Sequence, residues 1–546
     1  MRCVSGRGDL VTRRGALGSI GGAVAGALAA PAARAATPAN WSALAAAYRM
    51  PDWFRDAKFG IWAHWSAQCV PEFGDWYGRK MYIQGDPCYE HHLKTYGHPA
   101  DTGFLEIENK WKAEHWDPEY LVKLYKKAGA RYFMALANHH DNLDAYDSRH
   151  HEWNTMRVGP KRDIVGTWEK IARAQGLRFG VSNHSSHAWH WWQPAYGYDA
   201  EGPRAGQRYD AFRLTRADGK GKWWEGLDPQ QLYTGPAMVP PDGIASVAAM
   251  NDFHETHSRR WMEFAPENNP HFVAKWLLRQ KDLAEKYHPD IIYFDNYALP
   301  FGTVGLEALA HYYDLSIAKH GQVEVVATAK TLTPYQRTAL VDDVERGFLD
   351  HIRSEPWQTC TCIGDWHYSR WRYDAKAYVP AAKVIQRLCD VVSKNGNLLL
   401  SIPMRGDGTI DGEEEKILAG ITRWMARNGD AAIYGSRPWR VFGEGPSQLG
   451  SGMHNEGKVE FKPGDVRYTT KNGALFVAFL VWPDEPVSLA ALGKDAMPDA
   501  EISRVTLVGG GRLKTERFGT GLTITLPRAR KDEMIPVVRI DGGGLI

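Results

Sequence analysis

The sequence predicts an α/β fold, a (β/α)8-like TIM barrel followed by a C-terminal antiparallel β-sandwich. Three observations carry this. From Trp53 to about Pro403, short β-rich runs alternate with helical ones, the pattern of parallel strands joined by crossover helices. At 546 residues the chain is long enough for a barrel of about 250 residues or more and a second domain. Beyond Trp439 the helical signals stop, and short β-type runs separated by Gly, Pro and Asp take their place.

The N-terminus reads as an address. Thr12-Arg13-Arg14-Gly15 precedes a mildly apolar Gly/Ala-rich run from Ala16 to Ala30, and Ala33-Arg34-Ala35 offers a small-x-small cleavage site. We expect a twin-arginine export signal over residues 1–35 and a periplasmic or extracellular mature chain; an ordinary secretory signal would export it equally. No later run approaches the ~20 apolar residues of a membrane helix, so no membrane partner is expected. The whole chain has 66 Lys and Arg against 64 Asp and Glu. The first 35 residues hold five of the Arg and one Asp, leaving 61 against 63, or −2. That balance gives no electrostatic footprint for nucleic acid. Without Cys3, five cysteines remain, an odd number, with Cys69 and Cys88 the one pair to suggest a disulfide; no CxxC or His-rich spacing suggests zinc.

Within the barrel region, Asp117 can cap a helix with Pro118 at its first position, Tyr120, Leu121, Leu124 and Tyr125 recur at helical spacing, and Gly129 stops it. The next run, Tyr132 to Ala137, must be a strand, and it ends in Asn138-His139-His140-Asp141. Similar apolar-to-polar transitions occur over Phe59–His64, Phe179–His184, Ile291–Asp295 and Val323–Thr328. In α/β barrels the C-terminal rim of the strands is where chemistry is assembled. Residues 186–256 break the rhythm with Trp189, Trp191, Trp192, Trp223 and Trp224 among many Gly, Asp, Pro and Arg. They read as a long excursion over the barrel mouth, either shaping substrate subsites or serving as a plain surface insertion. After it, β-type runs are expected at Lys458–Lys462, Val466–Thr469, Ala474–Trp482, Ile502–Val508, Leu522–Leu526 and Ile535–Ile540. The expected organisation is an export signal over 1–35, a catalytic barrel over 36–440 containing the excursion, and a sandwich over 441–546.

The 22 Trp, 24 Tyr and 18 Phe exceed what a core alone requires, and flat rings stack against the apolar faces of sugars, although core and rim packing accounts for most of them. Cleaving a glycosidic bond with retention needs two carboxyl groups ~5–5.5 Å apart, one to attack the anomeric carbon and one to protonate the leaving oxygen. Asp295 closes the apolar run Ile291-Ile292-Tyr293-Phe294, which aims a carboxylate at the mouth against low-dielectric packing; a capped turn is the plainer reading. For the acid, spacing leaves Glu345, beside Arg346, and Glu355, held extended before Pro356. His139 and His140 should have diverging rings if their strand stays regular, one toward the mouth and one packed away. A metal site is the competing reading, but the His-His pair has no third carboxylate or His at ligand spacing to support it.

These residues resemble the glycoside hydrolase family 29 α-L-fucosidases from about Trp53 through Trp439. Trp53-Phe54-Arg55-Asp56-Ala57-Lys58-Phe59-Gly60-Ile61-Trp62-Ala63-His64-Trp65 resembles the family's first strand and sugar-binding histidine. Asp75-Trp76-Tyr77 resembles its "EWY" loop, and Asn138-His139-His140-Asp141 its "KHHDGF" motif. Gly180-Val181-Ser182-Asn183-His184 is similar to a third-strand motif of one branch. Ser393-Lys394-Asn395-Gly396-Asn397-Leu398-Leu399-Leu400, followed by Gly406-Asp407-Gly408-Thr409-Ile410, resembles the final strand and turn. The resemblance implies Asp295 as nucleophile, Glu345 as acid/base with Glu355 as second choice, and His64, Trp76, His139, His140 and His184 as sugar ligands. It further implies a retaining exo-glycosidase acting on terminal α-L-fucose of a glycan, with no metal or organic cofactor required. Ser66, Asn138, Asn296 and Gln358 depart from the family pattern. Gln358 removes a rival acid, while the other three touch pocket-facing loops and leave open a related sugar such as an α-L-galactoside. A silent carbohydrate-binding protein and a metal-dependent hydrolase are the readings from other classes.

Overall fold

The computed structural model describes residues 36–264, 266–529 and 533–546. The expected export signal lies outside them. Thr37–Ile546 form one compact unit.

Eight parallel strands close into a barrel in chain order: β1 (Phe59–Ala63), β2 (Tyr132–Asn138), β3 (Arg178–Asn183), β4 (Ile291–Tyr297), β5 (Val326–Lys330), β6 (Val341–Asp343), β7 (Trp357–Cys362) and β8 (Gly396–Ser401), with β8 pairing back onto β1. Nearly all their residues are buried, polar ones in β6 and β7 included, because parallel barrel strands are covered on both faces; all seven residues of β2 are buried. Alternate side chains turn inward, and Trp62, Tyr132, Met134, Ile291, Tyr293, Val326, Val341, Cys360 and Leu399 fill the interior. The others face the helical shell.

That shell includes α1 (Pro118–Lys127), α2 (Ile164–Ala174), α3 (Pro270–Tyr287), α4 (Thr303–His320), α5 (Ala381–Ser393) and α6 (Gly412–Asn428). Helix α1 starts as its sequence requires: the Asp117 carboxylate accepts the Tyr120 N–H at 2.9 Å, Pro118 occupies the first turn, and Leu121, Val122 and Tyr125 are buried. Between β5 and β6 there is a single 3-10 turn, Gln336–Thr338, and between β6 and β7 no described helix, so no crossover helix covers the barrel there.

The C-terminal region is antiparallel, beginning at Arg437 rather than 441: β9 (Arg437–Glu444), β10 (Val466–Lys471), β11 (Ala474–Phe479), β12 (Val487–Leu489), β13 (Glu501–Leu507), β14 (Lys514–Arg517), β15 (Leu522–Thr525) and β16 (Val537–Gly543). They form a five-stranded sheet, β13-β16-β11-β10-β9, and a three-stranded sheet, β12-β15-β14. Trp439, Tyr468, Leu475, Phe479, Leu522 and Ile540 are among the side chains buried with them. The run at Lys458–Lys462 is not a strand. It belongs to a segment that leaves the sheet after β9 and packs on the barrel mouth, where it hydrogen-bonds barrel loops instead of a neighbouring strand.

The cysteine expectation also changes. Cys69, Cys88, Cys360, Cys362 and Cys389 are all buried free thiols.

Candidate active site

At the C-terminal rim the barrel opens into a cavity of about 230 Å³ whose walls include His64, Trp76, His139, His140, His184, Asp295 and Glu345. All seven residues singled out by motif thus meet in one place. Glu355 does not. It sits two residues before β7, at the opposite end of the barrel, and its carboxylate accepts the hydroxyl of Ser354 at 2.8 Å.

Each strand delivers its group where regular pairing ends. His64 follows β1 and is buried with neither ring nitrogen hydrogen-bonded within the protein, a polar group left for something in the cavity. His139 and His140 both line the cavity, against the expectation that one packs away. Strand β2 stops at Asn138, the chain turns, and the two ring centroids lie 4.3 Å apart. His139 Nδ1 lies 2.8 Å from Gln68 Nε2, and His140 Nδ1 lies 2.9 Å from the His184 carbonyl, which directs His140 Nε2 toward Asp295, 3.5 Å away. Trp76 adopts a left-handed backbone, φ 64°, and its indole meets His140 edge to face.

Burial, the largest cause in each case, holds His64 and His139 well below the usual imidazole range and His140 at about 3. Neutral imidazoles carry one N–H donor and one acceptor each, which suits hydroxyl groups.

Asp295 and Glu345 are joined by a residue that motif reading missed. Lys330, the last residue of β5, donates from Nζ to Asp295 Oδ1 and, at 2.5 Å, to Glu345 Oε2. Burial would raise the Asp295 carboxyl, but Lys330, then His184, whose Nδ1 is 3.0 Å from Oδ2, and His140 outweigh it and hold the group well below the ordinary carboxylate range. Burial would likewise lower Lys330, yet its two carboxylates keep its pKa well above the usual value. Arg346, expected to tune Glu345, instead pairs with Glu456 at 2.8 Å. Strand β5 extends two residues past Thr328, and a lysine at its end carries no sequence signal of the two carboxylates it meets.

Other cavity residues missed in the sequence are Trp261, Trp366, Met453 and His454. Trp261 lies beyond the Trp-rich excursion, whose own Trp189, Trp191, Trp192 and Trp224 are buried as packing. Trp366 is fixed by Asp75, which accepts the N–H groups of Trp366 at 3.1 Å and His367 at 2.7 Å.

The departures from the family pattern support this wall. Ser66 donates to Asp141, Asn138 accepts the N–H groups of His184 and Ser185, and Asn296 donates to Glu263. Gln358 lies inside the barrel, accepting from Tyr132 and donating to Asp343.

The histidine cluster also bears on metal. His64, His139 and His184, and separately His140, His184 and Asp295, each bring three ligand atoms within 4.8 Å of one another. The third ligand that the sequence lacked is therefore His184. In the second set Asp295 presents Oδ2 to the two histidines, while its Oδ1 accepts from the Lys330 ammonium.

The sequence profile of the alpha-L-fucosidase family matches residues 25–430. The chain belongs to the alpha-L-fucosidase family. It is a glycoside hydrolase. It is similar to the tissue alpha-L-fucosidases of Rattus norvegicus, 26% identical over 88% of this chain and 86% of that one, and of Homo sapiens, 25% identical over 88% and 85%. The Thermotoga maritima alpha-fucosidase in complex with fucose superposes with a TM-score of 0.64 at 24% identity, covering 92% of this chain and 99% of that one, a likeness of fold.

Proposed function

We propose that the protein is a retaining exo-α-L-fucosidase that releases terminal α-L-fucose from glycans by double displacement. The observation that carries this reading is the shared ammonium. Two carboxylate oxygens touching one Nζ lie no more than about 5 Å apart, within the ~5–5.5 Å of retaining carboxyl pairs and short of the gap that an inverting water needs.

In this mechanism Asp295 attacks C1 of the sugar while Glu345 protonates the leaving oxygen; Glu345 then takes a proton from the water that cleaves the glycosyl ester. Lys330 faces one negative charge throughout. Before attack that charge is on Asp295 with Glu345 protonated; in the intermediate Asp295 is an ester and Glu345 is the carboxylate. The cation therefore stabilises both halves of the reaction without moving. The neutral rings of His64, His139 and His140, with His184 and Trp76, hold the sugar hydroxyls and ring face.

Asp295→Gly tests this. It should lower turnover of an aryl α-L-fucoside at least a thousandfold, and azide should restore activity by yielding the inverted β-fucosyl azide. Full activity in the variant would remove Asp295 from the mechanism, and an aryl-glycoside panel in which the α-L-galactoside is preferred would change the sugar. We further propose export by the twin-arginine route, supported by Arg13-Arg14 and the apolar run after them. Replacing both arginines by lysine should trap the precursor inside the cell, read by immunoblot of cell fractions.

A further inference from the structure

The segment that leaves the sandwich sheet after β9 supplies part of the catalytic cavity. Between residues 450 and 461 it bonds to the loop after β6 by three backbone links: Gly452 N–H to the Phe348 carbonyl at 3.0 Å, His454 N–H to the Glu345 carbonyl at 2.9 Å, and Glu456 N–H to the Arg346 carbonyl at 3.1 Å. The Glu456 carboxylate, 8% exposed, anchors it by accepting from Arg346 at 2.8 Å and Thr361 at 2.6 Å, with Arg387 at 3.4 Å. His454 is held at φ 55°, a left-handed backbone that costs a non-glycine residue energy and persists where surrounding contacts enforce it. The result is that Met453 and His454 stand on the cavity wall beside Glu345.

His454 is also the edge of a second cleft. On its far side lies a space of about 560 Å³ lined by Arg346, Phe348, Lys383, Arg387, Gly457 and Phe461, inside the ~300–1,000 Å³ range of ligand sites. Phe348 and Phe461 pack edge to face, 6.0 Å between centroids; Arg346 and Arg387 are held by Glu456, which also lines the cleft, and Lys383 adds an ammonium. A sugar chain presents that mixture, apolar ring faces rimmed by hydroxyls.

We propose that this cleft binds the leaving portion of the substrate, so that the natural substrate is fucose carried on an oligosaccharide of at least two further sugars. The inference rests on Glu345 protonating the leaving oxygen, since the group bonded to that oxygen must lie on the Glu345 side of the cavity. There the wall is Met453 and His454, and His454 also lines this cleft, which makes it the neighbouring space on the Glu345 side. With no crossover helix after β5 or β6, the segment from the sandwich supplies that wall.

Gly457 gives a clean test. A Cβ built there meets nothing within 4 Å and the position has no left-handed φ, so a large side chain can fill the cleft without straining the backbone. In Gly457→Trp, the ratio of kcat/KM for a fucosylated pentasaccharide to that for 4-nitrophenyl α-L-fucoside should fall about tenfold, with Gly457→Ala in between. Turnover of the aryl fucoside by the same preparation verifies folding. An unchanged ratio in a variant that still cleaves the aryl fucoside would overturn the cleft while leaving the fucosidase reading intact. A wild type that cleaves neither fucoside would overturn that reading, and the cleft with it.

Discussion

Lys330 Nζ lies between the carboxylates of Asp295 and Glu345, and its charge is the strongest influence holding the Asp295 carboxyl low. Lys330→Met should lower kcat/KM for an aryl α-L-fucoside about 10²–10³-fold, the scale of removing one preorganised charge-stabilising group. The pH profile should shift as well. Asp295 is depressed in the folded protein, so it stays ionised, and the stability it contributes is fully present above ~3.9, being lost only as pH falls further toward its folded value. Removing the cation raises that folded value, and the acid limb of kcat/KM should therefore move to higher pH. An acid limb that stays in place would show that the histidines alone hold Asp295 ionised. Asp343 has the opposite sign. Burial raises it to about 7, partly offset by donation from Cys360 and Gln358. The folded chain thus holds this proton more tightly than the unfolded one, and stability should fall as pH rises from ~4 to about 7. In Asp343→Asn that slope should be absent, giving a urea midpoint that drops less than wild type between pH 5 and pH 8. Asp295 and the histidines were legible as strand-end polar residues, and Glu345 as one of two acids that spacing left open. Lys330 was not, because a lysine at a strand end reads as solvated, and nothing in its neighbours reveals two carboxylates arriving from other strands.

The elements were legible where one rule dominates. Apolar runs of barrel length mark β1 to β5, and Asp117-Pro118 marks the start of α1. Register and turn geometry were less so. A regular strand would separate the rings of His139 and His140, but β2 ends at Asn138, whose side chain accepts the His184 and Ser185 N–H groups and donates to Asp144 at 3.0 Å. That corner is locked by α3. Arg279, fully buried, donates two hydrogen bonds to Asp144, at 2.6 and 3.0 Å, and one to Asn142 at 2.7 Å. Arg279→Met should cost about 3–5 kcal/mol by leaving the buried Asp144 charge without its cation. Urea denaturation measures this directly, and a loss below 1 kcal/mol would mean that Asn138 alone satisfies Asp144. Similarly, Lys458–Lys462 carries a strand's composition, but its hydrogen bonds run to Asn455, Ser447 and Asp465 and not to a neighbouring strand, and composition does not say which neighbour a segment will find.

At the scale of the molecule, barrel and sandwich are fastened by a buried charge cluster. Asp390 on α5 accepts from Lys394 at 2.7 Å and from Arg467 of β10 at 2.6 Å, and all three side chains are buried. The Trp424 indole of α6 donates to the Ile535 carbonyl at 2.7 Å across the same junction. Arg467→Ala should destabilise the protein by about 3–5 kcal/mol and split its thermal unfolding, so that tryptophan fluorescence and far-UV circular dichroism no longer coincide. Coincident transitions in that variant would place the coupling in the apolar contacts. Two regions were readable in the sequence as two composition regimes, alternating then β-only. Their dependence on each other was not, since Arg467 and Asp390 are 77 positions apart.

By itself the sequence determined the barrel, the sandwich, and the carboxylate and histidines of the rim. Each follows from local periodicity or from a motif confined to a few neighbouring residues. The tertiary structure decided what those residues do to one another. It put Glu345 in the cavity and Glu355 at the opposite end of the barrel, turned both rings of the histidine pair inward, put Lys330 between two carboxylates, and brought Met453 and His454 from the sandwich to the cavity. Charge interaction and cavity shape depend on distance in space, and chain closure brings together groups whose separation along the chain carries no trace of it.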